Sequence, residues 1–375
     1  MKTRWFGKLG FEISSFGLGC MRLPQDQDGK ADEAASIAMI RGAIDGGVSY
    51  IDTGYGYMGG QSERILGKAL RDGYREKVHI ATKLPPWLCN TPDDMERILT
   101  EQLKRLDIPT IDFYLVHSVY DENWPKMMDF GVLDFMQKQR KAGKIRYIGF
   151  STHADTAYFK QVLDAFGWDM CQVQYNYMDT AYQAGVEGIR YAGSKGVPIV
   201  VMEGLRGGHL ANVPPSVEAI FDAHPVKRSP AEWAFRWLAT FPEIAVVLSG
   251  TSTEEQMRDN LRIFSADDFG AMSPEEFDVI EKARVAYMSR MKAGCTGCEY
   301  CLPCPQNVMI PKIFSLWNQA AMYGLLGQED WHYREYADEG RGAAACVSCG
   351  RCQSMCPQSL RIPALLQQAH CDLLA

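Results

Sequence analysis

Eight of the twelve cysteines fall in two short runs: Cys295, Cys298, Cys301 and Cys304-Pro305, then Cys346, Cys349, Cys352 and Cys356-Pro357. Three thiolates at two-residue intervals can wrap one face of an iron–sulfur cube, and a distal Cys-Pro supplies a further ligand, usually to the neighbouring cluster. The second run has the bacterial C-x2-C-x2-C-x3-C-P spacing, whereas the first closes one residue early, before Cys304. Spacing alone therefore leaves the pairing of cysteines with clusters open. A zinc site would pair two C-x2-C knuckles around one tetrahedral ion, a poor match to three evenly spaced cysteines plus Cys-Pro occurring twice. Disulfides need an oxidising compartment, yet the chain opens Met1-Lys2-Thr3-Arg4-Trp5 with no apolar signal segment. The expectation is two 4Fe-4S clusters in a cytoplasmic protein, with Cys20, Cys89, Cys171 and Cys371 as ordinary buried thiols.

A second set of reactive side chains precedes the cysteines, and the elements that carry it repeat. From residue 16 onward, short apolar or β-branched runs alternate with amphipathic stretches of helical length. The strand candidates are Phe16-Gly19, Ser49-Asp52, Val78-Lys83, Asp112-Val116, Ile145-Phe150, Met170-Gln174, Pro198-Met202 and Ala245-Ser249. Helical patterns lie near 34–46, 62–71, 92–106, 131–142, 155–165, 185–195, 230–240 and 254–264. Eight consecutive βα units close a parallel (β/α)8 TIM barrel. No G-x-G-x-x-G opens a helix after the first strand, which disfavours an open doubly wound sheet. Lys2-Phe6 and Phe11-Ser14 flank a Gly-containing turn and read as an N-terminal β-hairpin plugging the barrel floor. Ser273-Pro274 with Glu276 caps a further helix reaching about Met291. The division expected is a barrel over 1–290 and a mostly helical, ferredoxin-like domain of two clusters over 291–375.

In a closed barrel the strand C-termini converge on one mouth, so polar residues there are candidates for catalysis. Asp52 ends the second strand, Tyr57 follows five residues later, Lys83 ends the third strand and His117 follows the fourth. This set resembles the Asp, Tyr, Lys, His tetrad of the aldo-keto reductases, and the resemblance implies carbonyl reduction, which puts negative charge on oxygen and needs a proton donor at hydrogen-bond distance. A free tyrosine is a reluctant donor near neutrality until an ammonium stabilises its phenolate. Lys83 supplies that charge, Asp52 holds Lys83 charged and oriented, and His117 donates a hydrogen bond that positions the carbonyl. Tyr57 is the proton donor in this reading, and Tyr55 a residue of the pocket wall.

With Gln61-Ser62-Glu63-Arg64-Ile65-Leu66-Gly67 after the tyrosine, residues 1 to 290 resemble the aldo-keto reductases, and the whole chain the branch with a ferredoxin-like 4Fe-4S domain. The resemblance implies an oxidoreductase acting on a small-molecule carbonyl or alcohol with NAD(H) or NADP(H). It places Ser151, Thr152 and Gln172 at the nicotinamide amide, with Thr152 where the family has Asn. Met202 stands where a Tyr normally stacks on the nicotinamide ring, and Gly204 and Leu205 follow it. Gly250, Thr251, Thr253, Gln256 and Asn260 fall in the loop and helix start that take the phosphate and adenine. The basic residues that usually grip a 2'-phosphate are replaced here by Gly250 and Gln256, which argues against NADPH.

Clusters pass one electron at a time, whereas hydride transfer moves two. Two other functions therefore stand beside the nicotinamide-dependent reductase. In one, the clusters relay electrons from a ferredoxin-like partner to a flavin or substrate in the barrel mouth; in the other, the chain is a redox-sensing regulatory subunit. A net charge of -7 without a basic stripe argues against nucleic acid as a partner. The absence of an apolar run of about 18 residues argues against a membrane span.

Overall fold

The computed structural model describes residues 1–328 and 330–374, and its contacts divide the chain into two compact units. One comprises Met1–Leu210 with Ala231–Ser273, the other Ala211–Pro230 with Pro274–Ala375.

The first unit opens with an antiparallel hairpin, β1 (Thr3–Trp5) and β2 (Glu12–Ser14). Eight parallel strands follow: β3 (Phe16–Gly19), β4 (Tyr50–Asp52), β5 (His79–Leu84), β6 (Ile111–Val116), β7 (Ile145–Thr152), β8 (Met170–Gln174), β9 (Ile199–Met202) and β10 (Ile244–Ser249). Each pairs with its neighbour in chain order, and β10 pairs back onto β3, so the sheet closes into the expected barrel. The expected strands and helices all form, most within a residue or two of the bounds read from the sequence. The helices Trp124–Asp129 and Pro215–Asp222 were not expected. They are short and lack the full apolar period that made the other helices visible.

Hairpin residues do close the floor. Phe6 is fully buried against Phe113 at 5.0 Å between ring centres, and Phe11 stacks on His79 at 4.8 Å. Above this floor the barrel interior is filled by Tyr50, Ala81, Phe113, Leu115, Met170 and Val200. Because side chains alternate along a strand, a residue two positions beyond an inward one is itself inward and nearer the mouth. That step leads from Tyr50 to Asp52, from Ala81 to Lys83, from Leu115 to His117, from Met170 to Gln172 and from Val200 to Met202. Strand periodicity thus aims the candidate residues into one space, and the ladder sets Asp52 opposite Ala81 and Ser151 opposite Gln172.

The second unit is helical, with helices at Pro215–Asp222, Pro274–Met288, Ile310–Tyr323, Trp331–Asp338, Arg351–Ser354 and Ile362–Leu374. A core of Phe314, Trp317, Tyr333, Ile362, Leu366 and Leu373 has five of the clustered cysteines packed against its edge, and a sixth, Cys352, inside it. Its polar atoms are tied within the unit: Trp317 Nε1 donates to Asp372 (2.7 Å), and Tyr333 Oη lies 2.6 Å from His370 Nδ1. Asn318 Oδ1 accepts from the backbone amides of Lys292 and Ala293, both at 2.9 Å. It thereby fixes the entry into the first cysteine run.

Candidate active site

Lys83 has no exposed surface, and its ammonium donates to Asp52 Oδ1 at 2.6 Å and to the Thr53 carbonyl at 2.7 Å. Burial alone would strip its proton, but the Asp52 carboxylate and the Tyr57 hydroxyl outweigh it, so its pKa lies above the usual lysine value. The ammonium also stands 4.8 Å from the centre of the Tyr57 ring. Burial raises the Tyr57 phenol, and Lys83 pulls against that rise. His117 meets Tyr57 edge-on at 6.0 Å between ring centres. Burial, then the charges of Lys83 and His153, depress its pKa to about 3, which keeps the imidazole neutral at physiological pH. All four predicted residues therefore meet at the barrel mouth.

The strand bearing Lys83 is held from behind. Glu63 is fully buried and accepts from Thr82 Oγ1 (2.7 Å), Gln102 Nε2 (2.8 Å) and Arg105 Nη1 (3.2 Å). The same Gln102 amide donates to the Lys83 carbonyl at 3.0 Å. The helix carrying Glu63 approaches so closely that a Cβ at Gly67 would lie 2.6 Å from the Leu106 carbonyl oxygen. Gln61-Gly67 is therefore the brace of the site. Tyr55 belongs to the brace and not to the pocket wall: its hydroxyl donates to Glu101 at 2.7 Å and Arg105 covers its ring.

The predicted cofactor residues form an arc on the far side of the mouth. Ser151 Oγ accepts from the Ser118 amide (3.0 Å), and Thr152 Oγ1 donates to the Val119 carbonyl (2.6 Å). Gln172 is 2% exposed; its Nε2 lies 3.7 Å from Met202 Sδ, while its Oε1 is buried with no protein partner, as an acceptor reserved for a ligand amide would be. Gly204 and Leu205 follow Met202 before the 3-10 turn Arg206–Gly208. Beyond β10, Thr253 caps the helix Glu254–Ser265 by accepting from the Gln256 amide (3.2 Å), and Gln256 Oε1 accepts from the Ser252 amide (3.0 Å). Thr251 is buried against Met39, Asn260 donates to Ser249 Oγ (3.0 Å), and Gly250 has open space apart from the Gly19 carbonyl.

Three features escaped the sequence reading. The Thr53 carbonyl is backbone and leaves no trace in residue type. His153 influences His117 and lies 3.1 Å from Gln183 through Nδ1, a contact visible only once β7 is known to run through Thr152. Cys20 is buried as expected, but beside the site: its amide donates to the Asp52 carbonyl (2.8 Å), and Asp52 and Lys83 both act on its thiol. Among the mouth aromatics, Trp87 lies 4.9 Å from His117 and is half exposed, whereas Trp124 is packed against Trp168.

The eight clustered cysteines line two cavities in the second unit. One is bounded by Cys295, Cys298, Cys301 and Cys356, the other by Cys346, Cys349, Cys352 and Cys304. Cys301 and Ile310 border both. The first cavity thus combines three thiols of its own run with Cys356 of the other, and the second combines three of its own run with Cys304, while Cys301 lies on the wall of both. No described cysteine forms a disulfide. Among the described residues no group of three or more His, Cys, Asp or Glu side chains converges as one metal ion requires. Four thiols spread around a cavity suit a body larger than a single ion.

The aldo/keto reductase family profile matches residues 15–284, and that of a 4Fe-4S dicluster domain matches residues 294–361. A probable aldo-keto reductase 1 of Glycine max is 35% identical over 153 residues, 39% of this chain and 43% of its own length. Aldo-keto reductase YhdN of Bacillus subtilis is 39% identical over 152 residues, 38% of this chain and 44% of its own length. The chain thus spans less than half the length of these curated relatives. Among solved structures, an aldo-keto reductase of Bacillus halodurans in its holo form superposes with a TM-score of 0.64 at 23% identity, over 76% of this chain and 96% of that one. One from Klebsiella pneumoniae in complex with NADPH gives 0.60 at 22% identity, over 75% and 94%. At these identities the solved structures bear on the fold alone; the profile covers well over half the chain. The chain belongs to the aldo/keto reductase family and carries a 4Fe-4S dicluster domain at its C-terminal end.

Proposed function

We propose that the barrel reduces a small-molecule carbonyl, or oxidises the corresponding alcohol, with Tyr57 as proton donor. The observation that carries this reading is the buried ammonium of Lys83, clamped by Asp52 and Thr53 and 4.8 Å from the Tyr57 ring. Burial keeps the Tyr57 proton in place until negative charge develops on the substrate oxygen, and Lys83 stabilises the phenolate left behind. His117, neutral at working pH, keeps an N–H to donate toward that oxygen. A bound nicotinamide supplies the hydride. Ser151, Thr152 and Gln172 would hold its amide, Met202, Gly204 and Leu205 would cover its ring side, and Gly250, Thr251, Thr253, Gln256 and Asn260 would receive the phosphate and adenine end. The loop over 250–256 offers no cation for a 2'-phosphate, Glu254 and Glu255 follow at the helix start, and Arg258 is paired with Glu254 at 2.8 Å. That favours NAD(H) over NADP(H).

In the second unit the two four-cysteine cavities would each hold a 4Fe-4S cluster, which passes single electrons. Their common border at Cys301 and Ile310 favours a second reading, in which a ferredoxin-like partner feeds electrons through the clusters to a flavin or substrate in the barrel. An absorbance spectrum of anaerobically purified protein separates the two: bound flavin supports the relay, and NADH consumption without flavin supports the reductase. Tyr57→Phe is expected to cut carbonyl reduction by about 100-fold or more with dinucleotide affinity nearly unchanged, and undiminished turnover would overturn the assignment of Tyr57.

A further inference from the structure

The two cysteine cavities differ in the charge they face. The cavity of Cys295, Cys298, Cys301 and Cys356 is lined, apart from its thiols, by Thr296, Gln358, Glu299 and apolar groups. That of Cys346, Cys349, Cys352 and Cys304 is lined by Gln306, Gly350, Arg351 and apolar groups. Among the described residues Glu299 and Arg351 are thus the one charged side chain at each wall, of opposite sign. Both are exposed, and neither forms an ion pair with another described residue that would cancel its field. Each sits beside a ligand of its own run, between Cys298 and Cys301 or next to Cys352.

Reduction adds one negative charge to a cluster, so a nearby anion opposes it and a nearby cation favours it. On the two-cluster reading above, we infer that Glu299 and Arg351 are potential-setting residues that hold the two clusters apart: Glu299 makes the first harder to reduce, Arg351 the second easier. An electron arriving at the first is thereby directed to the second across the shared wall at Cys301 and Ile310. The burial of Cys352 works against Arg351, because a less solvated cluster resists added charge. The effect of each substitution, not the raw order of the potentials, therefore carries the test. Water and salt weaken a field from exposed groups, which leaves about a three- to tenfold change in the reduction equilibrium per charge.

The experiment is an anaerobic redox titration of the full chain, followed by electron paramagnetic resonance, beside iron analysis. Glu299→Gln is expected to raise one of two midpoints and Arg351→Gln to lower the other, each by about three- to tenfold in equilibrium constant. Arg351→Lys, which keeps the charge, should leave its midpoint in place. Midpoints that move for neither substitution, or the same midpoint moved by both, would overturn the inference. Iron well below about eight atoms per chain would instead overturn the two-cluster reading beneath it, and the inference with it.

Discussion

The tetrad and the cysteine cavities solve opposite problems. At the barrel mouth the protein supplies both charges itself: Lys83 and Asp52, both buried, neutralise each other at 2.6 Å, and Glu63, Thr82 and Gln102 fix the strand behind them. In the second unit the reactive groups are eight thiols facing two cavities, held by a small apolar core and by caps such as Asn318. One site is organised by its own ion pair and hydrogen bonds. The other is organised by geometry that a bound body would complete. Damage should therefore stay local in the cavities and spread through the fold at the mouth.

The sharpest way to break that contrast is at a cysteine. Cys356→Ala removes the one ligand that the second run lends to the first cavity. It should abolish that cluster, so that iron and acid-labile sulfide fall by about half while NADH binding by the barrel persists. Cys304→Ala should do the same to the other cluster. If Cys356→Ala spared the spectrum of the cluster at Cys295, Cys298 and Cys301, the crossed pairing would be wrong.

Lys83→Met tests the other pole. It leaves the Asp52 carboxylate buried without its cation, and Asp52 Oδ2 already has no partner. Breaking one half of a buried pair costs about 3–5 kcal/mol, so urea unfolding of the barrel should shift by that much and carbonyl reduction should fail. Adding Asp52→Asn should recover most of the stability and none of the activity. A Lys83→Met barrel as stable as the parent would show that the pair is not the organiser proposed here.

Both regions were legible in the sequence to different depths. The barrel could be read because β-branched runs alternate with amphipathic helices, and the tetrad because its members fall at successive strand ends, as in the family the chain resembles. The cysteine runs declared their chemistry by spacing alone. What could not be read required three dimensions. Tyr55 reads as a residue of the pocket wall until Glu101 and Arg105 are seen to claim it for the brace. The Thr53 carbonyl is a backbone acceptor common to every residue type. The Cys-Pro spacing offered Cys304 and Cys356 as ligands to the neighbouring cluster without deciding it, because the first run closes one residue early; the walls of the two cavities set Cys356 with Cys295 and Cys304 with Cys346.

The smallest expected effect bears on His117 and separates a mouth built around neutral groups from one that titrates. Its pKa in the folded chain is about 3 against an ordinary 6.5, with burial the leading cause and Lys83 the next. Between those values the unfolded chain binds a proton that the folded chain excludes, so stability rises with pH across the window and is level above it. From pH 7 to pH 5 the parent should lose about 1 kcal/mol on this account, after allowance for partial solvation of the ring. His117→Gln should lose less over the same interval, as read from urea midpoints at the two pH values. Turnover should show no ionisation near 6.5 traceable to this ring, because the neutral form is the donor at every pH in that range. A parent and variant with identical pH dependence would mean that folding does not depress the pKa of the imidazole. In that case the ring would carry charge beside Lys83 at pH 5, and the mouth would be one that titrates.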